Sequence, residues 1–310
     1  MLRSLYAGVS GMRNFQTKMD VVGNNIANVN TTAFKSGRVR FQDMLSQTVA
    51  NAQAPTLNGL AGVNPQQIGL GVKVGSIDTI MTGGALQPTY RSLDFAIEGE
   101  GFFAVSEDSF GNLKSYTRDG AFYTDYEGNL VNSSGLRVLG YLKDTTEYQT
   151  TDGATLSTPT GADPIADQAL LKPIIIPDQI QVTDAVTGVV ETLDRESYTI
   201  DGTGQIIGVY SDGNAYLLGQ VGIVTFSNPE GLEKSGSNNY VSTNNSGYPS
   251  TGIAGSAGYG IIRQGYLEMS NVDLANEFTE MIITSRAYQA NSRTISTSDE
   301  MLQELINLKR

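Results

Sequence analysis

The chain has no cysteine, no histidine and no tryptophan among its 310 residues. Without cysteine there are no disulfides, no thiolate metal ligands and no thiol nucleophile. Without histidine the commonest general base, the Ser-His-Asp arrangement and most zinc sites are lost too. Basic residues are few: 20 Lys and Arg stand against 32 Asp and Glu, for a net charge of −12. No basic cluster interrupts this balance, so a nucleic acid would be repelled and none is expected as a partner. No apolar run reaches the roughly 18 residues that suggest a membrane span, so no membrane partner is expected either. The opening MLRSLYAGVSGMRNF lacks the compact apolar core of a secretory signal, which by that rule keeps the chain in the cytoplasm. Export by a route that reads no cleaved signal escapes the rule.

What the chain does have is a heptad pattern at each end. Leu5, Met12, Met19 and Ile26 recur every seventh position, as do Leu274, Met281, Tyr288, Ile295 and Leu302. Phe278 and Ile306 fall on the adjoining row, whose middle positions Ser285, Ser292 and Asp299 are small or polar. Sustained seven-residue spacing marks an apolar stripe that must meet another helix. The first helix is expected over about Leu2–Val29, where Gly8, Gly11 and Gly23 each cost about 1 kcal/mol relative to Ala. Alone it should be weak until its face is packed. Asn24, Asn25, Asn28 and Asn30, with Thr31 and Thr32, then stop it, because such side chains compete for backbone hydrogen bonds. The last helix is expected to start after an N-cap at Ser270-Asn271 and to reach about Leu308.

Between the helices, 35 glycines, 15 tyrosines and 10 phenylalanines in the whole chain favour strands and turns. Leu93, Phe95 and Ile97 alternate with Asp94, Ala96 and Glu98, the period of a half-buried strand. Asp119-Gly120, Asp201-Gly202 and Asp212-Gly213 read as hairpin turns. The expected fold class is α+β: long N- and C-terminal helices (1–30 and 271–310) form a coiled-coil-like polymerisation domain, with an all-β, antiparallel outer domain at 76–143 and 172–270. Residues 31–75, broken by Gly and Pro, are expected to be an extended linker with a short helix near 40–50. Residues 144–171 read as a small polar insert.

No catalytic, cofactor or metal site emerges. Asp94, Glu98 and Glu100 share one face of a strand, but Asp94 and Glu98 would stand about 13 Å apart, so a solvated strand face is the reading. DYEGN (125–129) opens like a calcium loop, yet Leu130 and Leu136 occupy the positions that need Gly and Glu. GTGQIIG (202–208) has the wrong spacing for a phosphate loop and lies between strands.

The ends and the middle together resemble one family. SGM (10–12), GNNIANVNT (23–31) and AFKSGR (33–38) are similar to the N-terminal signature of the bacterial flagellar rod and hook proteins. Residues 270–310 resemble the family's C-terminal signature almost throughout, and LDFAIEGEGFFAV, YTRDGAFYTDYEGNLVNSSG, TFSNPEGL and RQGYLEMSNV resemble its β domain. The residues carrying the match include Asn24, Asn25, Asn28, Asn30, Thr31, Phe34, Lys35, Arg286, Tyr288, Gln289 and Asn291. Two positions depart from the pattern: Ala33 replaces a usual Gly, and Ser285 a usual Gln.

The resemblance implies a structural subunit, not an enzyme, with no cofactor. Leu274, Glu277, Phe278, Gln289 and Ala290 match the hook form of the C-terminal frame. A hook subunit is therefore expected, exported by the flagellar type III pathway and polymerised outside the cell, at the flagellar basal body, into a tubular joint between rod and filament. The alternatives are the distal rod protein and, outside the family, a secreted β adhesin. The implied partners are further copies of the chain in a helical homopolymer, the distal rod protein, the hook cap protein, the hook–filament junction protein and the export apparatus. The subunit-packing seam is expected on Leu5, Met12, Met19, Ile26, Leu274, Phe278, Met281, Tyr288, Ile295, Leu302 and Ile306.

Overall fold

The structure is a computed structural model that describes residues 2–54, 62–108, 111, 114–142, 149–150, 171–184 and 190–308. The fold is α+β, and the chain divides into two units. The first comprises residues 1–29, 35–80 and 272–310; the second comprises 30–34 and 81–271.

In the first unit, helix α1 spans Leu2–Ala27 and helix α2 spans Leu274–Leu308. The end of α1 follows the expectation for asparagine: the Asn28 amide donates to the Asn24 carbonyl at 2.9 Å and to the Asn24 side chain at 3.1 Å. The start of α2 differs from expectation. Asp273, not Ser270-Asn271, is the cap; its carboxylate accepts the backbone N–H groups of Ala275 at 2.9 Å and Asn276 at 3.5 Å. An anionic cap also suits the positive end of the helix dipole.

Residues 31–75 are not an extended linker with a short helix. The described part carries strands β1 (Gly37–Asp43), β2 (Ser46–Ala50), β3 (Gln66–Gly69) and β4 (Val72–Thr79). β1 pairs antiparallel with β4, from Gly37 opposite Thr79 to Asp43 opposite Val72, and β2 pairs with β3. The physical reason lies in GRVRFQD: Val39 and Phe41 turn inward while Arg38 and Arg40 stay exposed, a strand period rather than a helical one. This ribbon rests on α1. Phe15 and Phe41 meet edge to face at 5.5 Å, and the Asn14 amide donates to the Val72 carbonyl at 2.6 Å.

The second unit is built on a large, mainly antiparallel sheet. Strand Ala215–Thr225 is its centre, paired with Gln205–Tyr210, Arg137–Leu142, Phe102–Ser106 and Ser250–Ile253. Apolar layers cover both faces. Phe95, Phe103, Phe122, Val221 and Ile223 belong to one, and Phe102, Tyr116, Leu139, Val224 and Tyr240 to the other. Successive strand residues point to opposite faces, so Phe102-Phe103 and Ile223-Val224 feed both layers.

This two-sided burial changes two readings. Residues 93–97 are buried throughout rather than alternating, and Asp94 is 4% exposed, paired with Arg91 at 3.2 Å. It does not lie on a solvated face; Glu98 does, paired with Arg263 at 2.7 Å. Asp201-Gly202 and Asp212-Gly213 each join paired strands. Asp119-Gly120 does not, because its flanking strands pair elsewhere. Gly120 instead permits close approach: a β-carbon there would lie 1.8 Å from the Phe95 carbonyl oxygen. Ala33 does adopt the left-handed backbone usually given to glycine, with φ 55°, and its N–H donates to the Glu268 carbonyl at 2.8 Å. Of the expected insert at 144–171, only Gln149–Thr150 and Leu171 lie within the described residues; the rest lies outside them. Gln149–Thr150 runs parallel to Gln179–Asp184.

A buried ion pair fastens the early and late segments of this unit. The Arg118 guanidinium meets the Glu268 carboxylate at 3.4 Å and donates to the carbonyls of Ile97 at 3.2 Å and Gly99 at 2.7 Å. The other Glu268 oxygen accepts the Gly84 N–H at 2.8 Å. Both side chains are at most 5% exposed. Removing one partner of such a pair strands the other charge in the interior, so Glu268→Ala should cost roughly 3–5 kcal/mol, read from the denaturant midpoint of the β unit. A loss under about 1 kcal/mol, the range of an exposed pair, would contradict this account.

Burial also pushes the phenols of Tyr116 and Tyr240 up from 10.0 to about 12. A pKa raised by folding leaves stability intact below the unfolded value and removes it as pH climbs through the folded one. Stability should therefore fall between pH 10 and about 12, with the phenolate absorbance of these residues appearing late. Full ionisation of every tyrosine by about pH 11 with the fold intact would contradict it.

Candidate assembly interface

The interface builds upward from one asparagine. Asn25 is 1% exposed. Its amide donates to the Gly37 carbonyl at 2.9 Å and to the Glu277 carboxylate at 3.1 Å, and its carbonyl oxygen accepts the Gly37 N–H at 2.9 Å. One side chain thus joins α1 to the first residue of β1 and to α2. Farther along, Lys18 pairs with Glu280, and positions 11 and 8 face Asn291 and Ile295. The two helices therefore run antiparallel.

Their contact stripe is small and polar. A β-carbon on Gly11 would sit 2.9 Å from the Asn291 side chain, and one on Gly8 would sit 3.1 Å from Ile295. These glycines weaken α1 as an isolated helix, but they let α2 come close. On α2, Thr284 and Ser298 are buried, and their hydroxyls donate to carbonyls four residues back, Glu280 at 2.6 Å and Thr294 at 2.8 Å. A hydroxyl satisfied by its own helix can be buried without an unpaired polar group. Glu277 is affected by the same enclosure. Desolvation raises its pKa, reinforced by Glu280 and Asp273 and opposed by the Asn25 hydrogen bond and Lys18.

The heptads are real, but the rows that meet are shifted. The buried α1 positions 8, 11, 22 and 25 fall on two heptad rows, 8-15-22 and 11-18-25. Leu5, Met12, Met19 and Ile26 lie one position round from the second row and are half-buried. On α2 the polar row 277-284-291-298 faces α1, flanked by half-buried Met281, Ile295 and Leu302. Leu274, Phe278, Tyr288 and Ile306 are 39%, 51%, 38% and 66% exposed. Among the other motif residues, Lys35 is buried, while Asn28, Thr31, Phe34 and Asn291 are half-buried. Asn24, Asn30, Arg286 and Gln289 are exposed, with Arg286 donating to Gln289 at 3.2 Å. Gly8, Gly11, Thr284 and Ser298 were missed as contact residues because weighting by apolarity overlooks glycine and hydroxyls; the signal available was that Gly8 and Gly11 share a helix face three residues apart and Thr284 and Ser298 stand two heptads apart.

The outer side of α2 is a different surface. Ile282, Ile283 and Ile306 are 62%, 54% and 66% exposed and lie with Phe278 on the side away from α1, whereas Met301, Leu305 and Leu308, 51%, 50% and 80% exposed, continue the α1-facing rows past Ile295. Among the described residues no group of three or more acidic side chains is placed to hold a metal ion. No described helix is long and apolar enough to cross a membrane.

Such a chain, with a unit of long helices, a β unit and apolar side chains left open, has the build of a structural subunit. Three family models match it: flagella basal body rod protein over residues 5–35, flagellar hook protein FlgE/F/G D1 domain over 96–208, and flagellar basal body rod FlgEFG protein C-terminal over 263–308. The flagellar basal-body rod protein FlgG of Bacillus subtilis is 45% identical over 311 residues, covering 100% of both chains. The flagellar hook protein FlgE of Borreliella burgdorferi is 34% identical over 445 residues, and the FlgG rod protein of that organism is 36% identical over 311, each covering 100% of both chains. The chain belongs to the bacterial flagellar rod and hook protein family. It is a self-polymerising structural component of the flagellar axis, not an enzyme.

The Asn25 geometry separates neighbouring asparagines. Asn25→Ala should destabilise the helical unit by about 1–3 kcal/mol for each buried group left without a partner, whereas exposed Asn24→Ala should stay within about 0.5 kcal/mol. Helical circular dichroism under urea measures both. Equal effects would refute the role of Asn25 as the hub.

Proposed function

We propose that the chain is the subunit of the flagellar hook, exported by the flagellar type III pathway and polymerised outside the cell into a tubular joint between rod and filament. The observation that carries the assembly part is the uncovered outer side of α2, with Phe278, Ile282, Ile283 and Ile306 each at least half exposed. Burying a large apolar side chain contributes about 1.5–3 kcal/mol, and this side has no cover within its own unit. In the polymer neighbouring copies cover these side chains. The absence of cysteine suits a chain that travels unfolded and has nothing to cross-link.

The hook assignment has its own support. The Borreliella hook protein is 34% identical in an alignment 445 positions long, gaps opposite this chain included, and the rod protein of that organism 36% over 311. A relative named as hook protein thus matches the chain end to end at an identity close to that of a rod protein. In a hook the partners are the distal rod protein, the hook cap protein and the hook–filament junction protein, with the export apparatus acting earlier. One observation favours a second reading, the distal rod: the 45% relative matched end to end over 311 residues carries that name.

Immunogold electron microscopy with antibody to the β unit separates the two. Label on the curved segment between cell surface and filament is expected; label confined to detergent-extracted basal bodies would move the assignment to the distal rod. The assembly claim is checked by Ile282→Asp. The variant should keep the stability of the single chain within about 0.5 kcal/mol while losing sedimentable polymer. Undiminished polymer would contradict the role of this side.

A further inference from the structure

The first unit contains a groove of about 450 Å³ between α1 and the strand ribbon. Tyr6, Val9, Ser10 and Arg13 form its α1 side, spaced i, i+3, i+4 and i+7, and therefore share one helix face. Met44 and Leu70 stand across from them. Tyr6 is 72% exposed, and among the described residues Arg13 is the only charged one lining the groove. Among the described residues Arg13 makes no ion pair.

A stripe on α2 repeats this spacing with the opposite charge. Met301, Glu304, Leu305 and Leu308 also sit at i, i+3, i+4 and i+7, and Glu304 likewise has no ion pair among the described residues. The three apolar members are at least half exposed. The stripe cannot reach the groove of its own chain. Gly8 packs against Ile295, so Leu305 lies ten residues farther along α2, roughly 15 Å past Gly8 and about 12 Å past Tyr6 at the near end of the groove. That exceeds side-chain reach.

We propose that the groove of one copy receives the Met301–Leu308 stripe of a second copy, with Arg13 paired to Glu304. This rests on the assembly reading above and deepens it by naming one contact. The two surfaces differ, so each copy offers a stripe to one neighbour and a groove to another. Such a heterologous contact propagates when its rotation does not close, giving a filament rather than a dimer. Arg13 facing Glu304 beside matched apolar stripes adds charge complementarity to the contact.

The absence of native cysteine makes the contact directly testable. The full-length double variant Val9→Cys, Leu305→Cys is polymerised, oxidised and run on a denaturing gel without reductant. A ladder of covalent multimers that requires both cysteines is expected. Sedimenting polymer without a ladder overturns this contact while leaving assembly intact, as does a fast-migrating, internally linked monomer. A native chain that never sediments overturns the assembly reading and this contact with it. If the cysteine variant itself does not assemble, charge reversal decides. Arg13→Glu and Glu304→Arg should each lower polymer yield at least about tenfold, the effect of roughly 1.4 kcal/mol, and the double variant should restore it. No restoration overturns the pairing.

Discussion

The helical unit depends on one buried side chain meeting three elements. Asn25 satisfies both backbone groups of Gly37 and one oxygen of Glu277, and in doing so fixes where β1 leaves α1 and where α2 begins its antiparallel run. A buried amide is costly unless its hydrogen bonds are made, so any slip of α2 along α1 would abandon several of them at once. The rest of the pairing follows from that register: Lys18 finds Glu280, Gly11 finds Asn291 and Gly8 finds Ile295.

That constraint divides the labour between the faces of α2. Its inner face is kept polar and narrow by Thr284, Asn291 and Ser298, with Thr284 and Ser298 satisfied by their own helix and Asn291 donating to Ala287. It specifies one pairing without consuming much apolar surface. The outer face carries Phe278, Ile282, Ile283 and Ile306, whose burial awaits a neighbour. A coiled coil made only of its own two apolar rows would be stable and inert. With a polar inner seam, the apolar residues remain available for assembly. The β unit contrasts with this, since its central strand is covered on both faces and its buried charge is paired through Arg118 and Glu268.

Much of this was legible in the sequence, and the failures have physical causes. Both helices, their heptads and the antiparallel β body follow from residue spacing. The inner seam did not, because periodicity shows that a stripe exists, whereas choosing between adjacent rows depends on which positions tolerate close backbone approach. Gly8 and Gly11 carried that information but were read only as helix weakeners. β1 was missed although Val39 and Phe41 alternate with arginines, because its partner β4 lies some thirty residues on, past Gly and Pro breaks. Asp94 was read as solvated because alternation was taken for one-sided burial; its pairing with Arg91 is invisible without the fold. Ala33 shows the converse, a left-handed backbone held by tertiary contacts despite a residue that disfavours it.

The central claim is that the outer face of α2 is the surface that assembly covers. Hydroxyl-radical footprinting of Phe278, Ile282, Ile283 and Ile306, in the single chain and in the polymer, tests it most directly. The account predicts that all four react readily in the single chain and become strongly protected once polymer forms. Reactivity at these four residues that is unchanged in the polymer would contradict it.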